Sequence, residues 1–494
     1  MRSLPLLLAL VACGDEPAAP AAPPATPPAT PTAATASGAA RSSASAPPDI
    51  LLVYVDTLRA DHLGTYGYSR PTSPRIDAWG AGGTVFTRAY SQSGWTLAST
   101  ASLFAGQYPH QHRVVRDSKQ PDRFGCLVPS TQTLPEQLGL RGYATAAFIN
   151  NTFMAPEFGI QQGFDLYDYE GATNTTHRSG AQTVDDALAW WDAHADTPRF
   201  AVVHMMEPHL NYAAPEGIRG TFAEGEGPPR LKLEPGKADP FVAMQFKQLE
   251  PTETEKRWTI DLYDEEVLTV DAAMGRLLDG LEARGQSAST LVVLTADHGE
   301  EFWEHERFEH GHALWSPLTH VPLIAVGPGV PASRVPTVVE HVDLFQGLLA
   351  KAGAPRPAES EGEDLFGVAR TPAARVALME NCLYGEPCIS LVNDTHRVML
   401  NSLRGYAGVH PVIDGLREGP QVQGPEQNTL GQPMLDAIRE KRGSLDPVLA
   451  VGGGPRVPSY ETFEMLSELG YVDRPDQPGG SGPEAGAGAT PCGG

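Results

Sequence analysis

Three short clusters in this chain carry side chains that can hold a cation and activate a hydroxyl. Asp297-His298-Gly299-Glu300 sets a carboxylate beside an imidazole directly after an apolar run, 290–296. Asp56 closes a second apolar run, 50–55, and Glu207-Pro208-His209 follows a third, 200–206. Mixed oxygen and nitrogen donors of this kind suit Zn²⁺, Mn²⁺ or a similar divalent ion. Thr96 lies in the stretch SQSGWTLASTASLFAGQYPH (91–110), at the entrance to a short helix over 98–104 that Gly106 ends. A helix N-terminus attracts an anion. A hydroxyl there, ligated by the same cation as Asp56, Asp297 and His298, becomes a usable nucleophile. A plain structural role stands beside each reading: Thr commonly caps helices, and carboxylates at strand ends can do the same.

Residues spread from 56 to 298 must be gathered by a sheet. The runs 50–55, 144–149, 200–206, 290–296 and 321–326 read as buried strands. Residues 73–81, 98–104, 133–140, 183–194 and 253–284 read as helices, the last with Tyr263, Val267, Val270, Met274, Leu277, Leu278 and Leu281 on one stripe. Strands alternating with helices predict an α/β sandwich around a largely parallel sheet, in which ligands bind at the carboxyl ends of strands. Asp56, Glu207 with His209, and Asp297 with His298 all sit at such ends. Residues 217–239 read as a surface loop. Past Gly353 the pattern changes to short antiparallel strands at 375–380, 390–393 and 396–401 and a closing helix at 460–469. This predicts a smaller α+β subdomain over 354–473, packed on the domain 49–353 and followed by a Gly/Pro-rich, disordered tail, 474–494.

The chain has 494 residues, 41% of them hydrophobic, and a net charge of −24. That balance argues against nucleic acid as a partner and requires a local cation for any anionic substrate. No apolar run is long enough to span a bilayer. Arg2, the apolar stretch 4–12 and Leu10-Val11-Ala12-Cys13 resemble a bacterial lipoprotein signal over 1–13, with Cys13 as the lipidated residue; an ordinary secretory signal is the alternative. Residues 14–48, nearly all Ala, Pro, Thr and Ser, read as a tether. The expectation is an exported protein, periplasmic or at the cell surface and membrane-anchored by its lipid. Cys382 and Cys388 flank a Gly385-Glu386-Pro387 turn and could bridge in an oxidising compartment, whereas Cys126 and Cys492 have no evident mate.

Several long motifs occur in order across 48–473: VYVDTLRADHLGTYGY, the Thr96 segment ending AGQYPHQH, EPHLNY, TADHGEEFWEH, FEHGHALW with VPLI, and SELGYVD. Together they resemble the sulfatase-like branch of the alkaline phosphatase superfamily. The resemblance implies an alkaline-phosphatase-like sandwich, an anionic ester as substrate, and one divalent metal (Zn, Mn, Ca or Mg) on Asp56, Thr96, Asp297 and His298. It also implies His209 or His312 as the group that binds the anion or protonates the leaving oxygen. Glu207, His209 and His310 are the residues for a second metal, as in two-metal members, with His310 otherwise in the substrate site.

One departure changes the expected chemistry. Sulfatases of this type place Cys or Ser at the head of a C-x-P-x-R-like pentapeptide, to be oxidised to formylglycine. Here that pentapeptide is Thr96-Leu97-Ala98-Ser99-Thr100, with no Cys and with Thr in the Arg position. Phosphoryl-transfer members of the superfamily use an unmodified Ser or Thr there. The family's Lys-x-His is also missing; Asn150 and Asn151 occupy its region, and Asn150 is assigned to the substrate. The resemblance therefore implies a metal-dependent hydrolase or transferase of phospho- or sulfo-esters that acts through Thr96. A sulfatase working without formylglycine and an inactive binding protein are the other readings. Arg59, Asp61, Tyr66, His110, His112, Tyr263 and Asp271 are expected to pack or cap.

Overall fold

Asp49–Val55 is buried along its whole length and pairs in parallel with Arg199–Met205 on one side and Thr290–Ala296 on the other. The register sets Val55 opposite both Met205 and Ala296, so the three strands end at one level. Each contributes Val, Ile, Leu or Phe to both faces, as strands covered on both sides must. Burying such side chains stabilises the fold by roughly 1.5–3 kcal/mol apiece. In this computed structural model the described residues are 47–444, except 118–119, 121, 170–177, 233–238, 371–373, 386–387, 402–405 and 415–416, together with 458, 459, 462 and 466. The expected signal with Cys13, nearly all of the tether, the tail with Cys492 and all but two residues of the 460–469 helix lie outside them.

These three strands form the centre of an eight-stranded sheet in the order Ser333–Val335, Thr84–Phe86, Leu323–Val326, Thr290–Ala296, Asp49–Val55, Arg199–Met205, Ala144–Phe148, Leu166–Asp168. Only Leu323–Val326 runs against its neighbours. The fold is thus the expected α/β one with a largely parallel sheet. The run read as one strand over 321–326 is two: His320–Val321 pairs with Ala89–Tyr90 in a small second sheet, and Leu323–Val326 enters the main one. Pro322 separates them, having no N–H for a ladder.

The helix Glu253–Ala283 is closed at its start by Thr252 and Glu255 in a reciprocal cap. Its Tyr263 hydroxyl donates to the Thr57 carbonyl at 2.8 Å and accepts the Arg59 N–H at 2.9 Å. Thr57 has φ 52°, left-handed for a β-branched residue, and this double bond holds the turn that follows Asp56. Asp271 accepts the N–H groups of Arg75 and Ile76 and so caps the helix Pro74–Gly80. Glu265 accepts from Phe222 and Ala223, anchoring the long surface loop.

The C-terminal subdomain is an antiparallel sheet in chain order, Ala377–Glu380, Cys388–Val392, His396–Asn401, Tyr406–Ile413 and Arg417–Glu418. The helix Pro425–Arg442 packs Met434 and Ile438 against it beside Val409. Sequence reading misses this helix because Pro433 interrupts it and only Gly431, Met434 and Ile438 are buried. Cys382 and Cys388 form the expected disulfide. Cys126, expected to lack a mate, is also disulfide-bonded. No described helix is long and apolar enough to cross a membrane.

Candidate active site

The level ends of the central strands deliver the site. Asp56 N–H bonds the Met205 carbonyl at 3.0 Å and Asp297 N–H bonds the Val55 carbonyl at 3.2 Å, so each carboxylate leaves its strand with the ladder still intact. One oxygen each of Asp56 and Asp297 and one ring nitrogen of His298 lie within 4.8 Å of one another, all fully buried. Thr96 begins the helix Thr96–Ala105, one residue inside the extended Trp95, and its Oγ1 lies 3.2 Å from His298 Nε2. All four residues assigned to the metal therefore meet at one point.

Second contacts fix each of them. Asp297 Oδ1 accepts the N–H of Thr57 at 3.1 Å and of His298 at 2.7 Å, while Ser99 Oγ donates to the Asp297 carbonyl at 2.5 Å. His298 Nδ1 donates to the Gly299 carbonyl at 2.9 Å, which puts the lone pair on Nε2, facing Thr96. Asp56 Oδ2 accepts the Asn151 amide at 2.5 Å and lies 3.6 Å from His204 Nε2. His204 Nδ1 accepts the Asn150 N–H at 3.3 Å, so its Nε2 carries the proton and points it at Asp56.

Two carboxylate oxygens, Asp56 Oδ1 and Asp297 Oδ2, are buried and make no hydrogen bond within the protein. Leaving a buried carboxylate oxygen unmatched is costly. The electrostatics register that cost. Burial works against the charge of Asp56, yet His204, His209 and His298 hold its carboxyl low. Burial and the Asp56 charge push Asp297 up to about 6. A divalent cation held by these residues would satisfy both oxygens, and the O, O, N and hydroxyl donor set fits one.

The imidazoles fall into two groups. His310 packs on His298, with ring centroids 4.5 Å apart, and on His209 at 5.2 Å. Its Nδ1 meets Glu300 Oε1 at 3.0 Å. Burial, with the neighbouring imidazoles, drives His310 well below its usual range, and burial, with Glu309 and Asp56, drives Glu300 well above. His209 Nδ1 donates to the Leu210 carbonyl at 2.5 Å, which turns Nε2 outward from that bond. His312 is held elsewhere: its Nε2 pairs with Glu301 at 2.8 Å, in a cluster with His305.

Asn150 and Glu207 each meet partners in the fold. Asn150 is spent on the fold, its amide donating to Thr183 Oγ1 and the His204 carbonyl and accepting from Arg178, so the residue at the site is Asn151. Glu207 accepts the Gly180 N–H at the start of the helix Gly180–Ala193. Thr100, in the Arg position of the pentapeptide, bonds Tyr54 Oη at 3.3 Å inside the core. Sequence reading missed His204, hidden inside a strand, and Glu300, which is visible only as part of the Asp-His-Gly-Glu run. The residues expected to pack do so: Arg59 chelates Asp61 and Glu304, Tyr66 bonds two backbone carbonyls, His110 pairs with Glu380, and His112 bonds Ser102.

Known proteins resemble this chain in sequence and in fold. A family model described as Sulfatase matches residues 48–354. The Delta 4,5-hexuronate-2-O-sulfatase of Bacteroides thetaiotaomicron is 23% identical over 370 residues, covering 66% of this chain and 72% of the relative. Human Arylsulfatase A is 26% identical over 353 residues, 65% of this chain and 67% of its own. The phosphonate monoester hydrolase of Agrobacterium radiobacter shares the fold with a TM-score of 0.64 at 17% identity, over 83% of this chain and 99% of its own.

Proposed function

Because the chain belongs to the sulfatase family and is an ester hydrolase of that family, we propose that it cleaves a phospho- or sulfo-ester with unmodified Thr96 as nucleophile. The observation that carries this reading is the position of Thr96 Oγ1, at a helix N-terminus and 3.2 Å from His298 Nε2, beside two unmatched carboxylate oxygens. When bound to Asp56, Asp297, His298 and Thr96, a divalent cation supplies Lewis acidity that lowers the pKa of the hydroxyl. The first turn of the helix presents N–H groups to the anionic ester. Thr96 Oγ1 attacks phosphorus or sulfur in line, and the ester C–O oxygen leaves, taking a proton from His209. Water then attacks the Thr96 ester, giving its proton to the same imidazole, and releases the inorganic anion. An acceptor alcohol in place of water would make the reaction a transfer.

Thr100 and Asn151 stand where sulfatases of this type use cationic side chains. Fewer cations favour a substrate of single negative charge over a phosphate monoester dianion. A sulfate monoester, a phosphodiester and a phosphonate monoester all carry one charge, and parallel rates on 4-nitrophenyl esters of each rank them. Thr96→Ala should abolish turnover while the metal stays bound, and mass spectrometry of trapped protein should find the adduct on Thr96. Full activity in that variant would overturn the reading. The Cys382–Cys388 bridge supports export, and the lipid anchor on Cys13 is tested by loss of labelled lipid in Cys13→Ala.

A further inference from the structure

We propose that Asn381, in the C-terminal subdomain, is a positioning residue that sets the nucleophile through Trp95. The inference rests on Thr96 being the nucleophile. Asn381 follows the strand Ala377–Glu380 and has φ 71°, a left-handed conformation that Asn tolerates better than most residues. There its Oδ1 accepts the Trp95 Nε1–H at 2.9 Å, and its carbonyl accepts the Ser93 hydroxyl at 2.9 Å. Both bonds are buried and join positions nearly three hundred residues apart in sequence.

Trp95 is the residue from which the Thr96 helix departs, and its carbonyl accepts the Ser99 N–H at 3.2 Å, the first bond of that helix. Its indole is fully buried and meets Phe153 edge-on at 5.5 Å. Phe153 lies in the turn Thr152–Met154, whose cap is Asn151: Asn151 Oδ1 accepts the Phe153 N–H at 2.7 Å while its Nδ2 holds Asp56. Trp95 thus adjoins the nucleophile in the chain while its indole packs on the arm that fixes a carboxylate of the site. Among the described residues, Asn381 Oδ1 is the acceptor of that indole N–H.

The segment bearing Asn381 is held on both flanks. Glu380 N–H bonds the Gln92 carbonyl at 2.8 Å, and Tyr384 N–H bonds the Gly311 carbonyl at 2.9 Å, with Gly311 N–H in turn on the Gly94 carbonyl at 3.0 Å. The Tyr384 ring lies so close over Gly311 that a Cβ there would stand 3.2 Å from it. The Cys382–Cys388 disulfide closes the loop next to Asn381, and Asn381 N–H bonds the Cys388 carbonyl at 3.0 Å. The subdomain therefore presents a braced acceptor to Trp95. Small displacements of a reacting group cost rate steeply, about 100-fold for 1 Å.

The test uses the full-length, metal-loaded protein. Asn381→Gly keeps the backbone conformation and removes the acceptor, and Trp95→Phe removes the donor. Each should lower kcat about 10- to 100-fold with KM changed less than about threefold and metal content unchanged. The double variant should be no slower than the slower single variant, since both delete one bond. Asn381→Asp, which keeps an acceptor and tolerates the same backbone, should restore kcat to within about threefold of the parent. Unchanged kcat in Asn381→Gly, loss of metal, or failure of Asn381→Asp to restore the rate while circular dichroism shows it folded would each overturn the proposal. Thr96→Ala is assayed in parallel: turnover in that variant refutes the nucleophile itself, whereas an inactive Thr96→Ala beside a fully active Asn381→Gly refutes only the role of Asn381.

Discussion

Asn151 donates its amide to Asp56 Oδ2 across 2.5 Å, while Asn150, its neighbour, turns its own amide to Thr183 and the His204 carbonyl. Two adjacent, chemically identical side chains therefore serve the site and the scaffold respectively. Loss of a partner that orients a metal ligand typically costs about 10- to 100-fold in affinity. Asn151→Ala should weaken metal binding by that factor in calorimetric titration and, because its Oδ1 also holds the Phe153 N–H, destabilise the fold by about 1–3 kcal/mol. Asn150→Ala should leave the affinity within about threefold and destabilise the fold by about 1–3 kcal/mol, the cost of buried groups left unmatched.

Removing the metal should make stability depend on pH in a defined direction. Burial and the Asp56 charge raise Asp297 from 3.8 to about 6, so between those values the folded chain holds a proton that the unfolded chain has lost. The Asp297 contribution to the stability of the chelated protein should then fall as pH rises through that window, opposite in sign to that of the buried histidines, and stay low above it. Asp297→Asn should remove this slope in the metal-free protein while abolishing metal binding. Denaturant titrations of both proteins with and without chelator, from about pH 4 to about pH 8, check the sign.

Acid should destabilise the fold well before the carboxylates are all protonated. Burial lowers His112 and His341 to about 3 and His320 to about 4. These rings stay neutral in the native state, whereas the unfolded chain takes up their protons near about 6.5. The stability they contribute is complete above that value and is lost as pH falls toward their folded values. Replacing His112 by Gln should reduce the slope of stability against pH in this range by up to about 1.4 kcal/mol per pH unit, measured by urea unfolding.

Gly299 admits no side chain. A Cβ there would sit 2.1 Å from the Pro317 carbonyl oxygen, and the Gly299 N–H already bonds the Leu318 carbonyl at 2.9 Å. Gly299→Ala must push the Asp297-His298 pair away from the 316–319 turn. It should cost about 1–3 kcal/mol, in the manner of an overpacked core, and lower metal affinity more than about tenfold. Differential scanning fluorimetry and metal titration report the two effects separately.

The strands that carry Asp56 and Asp297 were readable because residues buried on both faces leave an unbroken apolar run, and the polar residue ending each run marks the sheet edge. Thr96 was readable from its family motif and from the Gly106 stop. The short strands Thr84–Phe86, Leu166–Asp168 and Ser333–Val335 were not, since three residues give no period. His204 was hidden because it lies within an apolar strand, where an imidazole reads as packing; its contact with Asp56 depends on strand order, which alternation alone does not specify. Asn150 and Asn151 show the limit most plainly: a spacing argument reaches the right dipeptide, and only the direction of the chain after Phe148 decides which amide faces the carboxylate. Asn381 lies beyond any local signal, because its partner is Trp95.

The first strand of the catalytic domain stands in the middle of its sheet, and the neighbour on one side, Thr290–Ala296, is the sixth of the eight in chain order. During synthesis from the N-terminus, Asp49–Val55 can pair with Arg199–Met205 early, yet it keeps one unpaired, largely apolar edge until about ninety more residues have been added. An edge of that composition is a template for wrong pairing. The insertion of Thr290–Ala296 closes the edge and brings Asp297 beside Asp56 in the same event. Acquisition of the metal would therefore report completion of the sheet, and a nascent chain that stops short of residue 290 should be both metal-free and prone to aggregate.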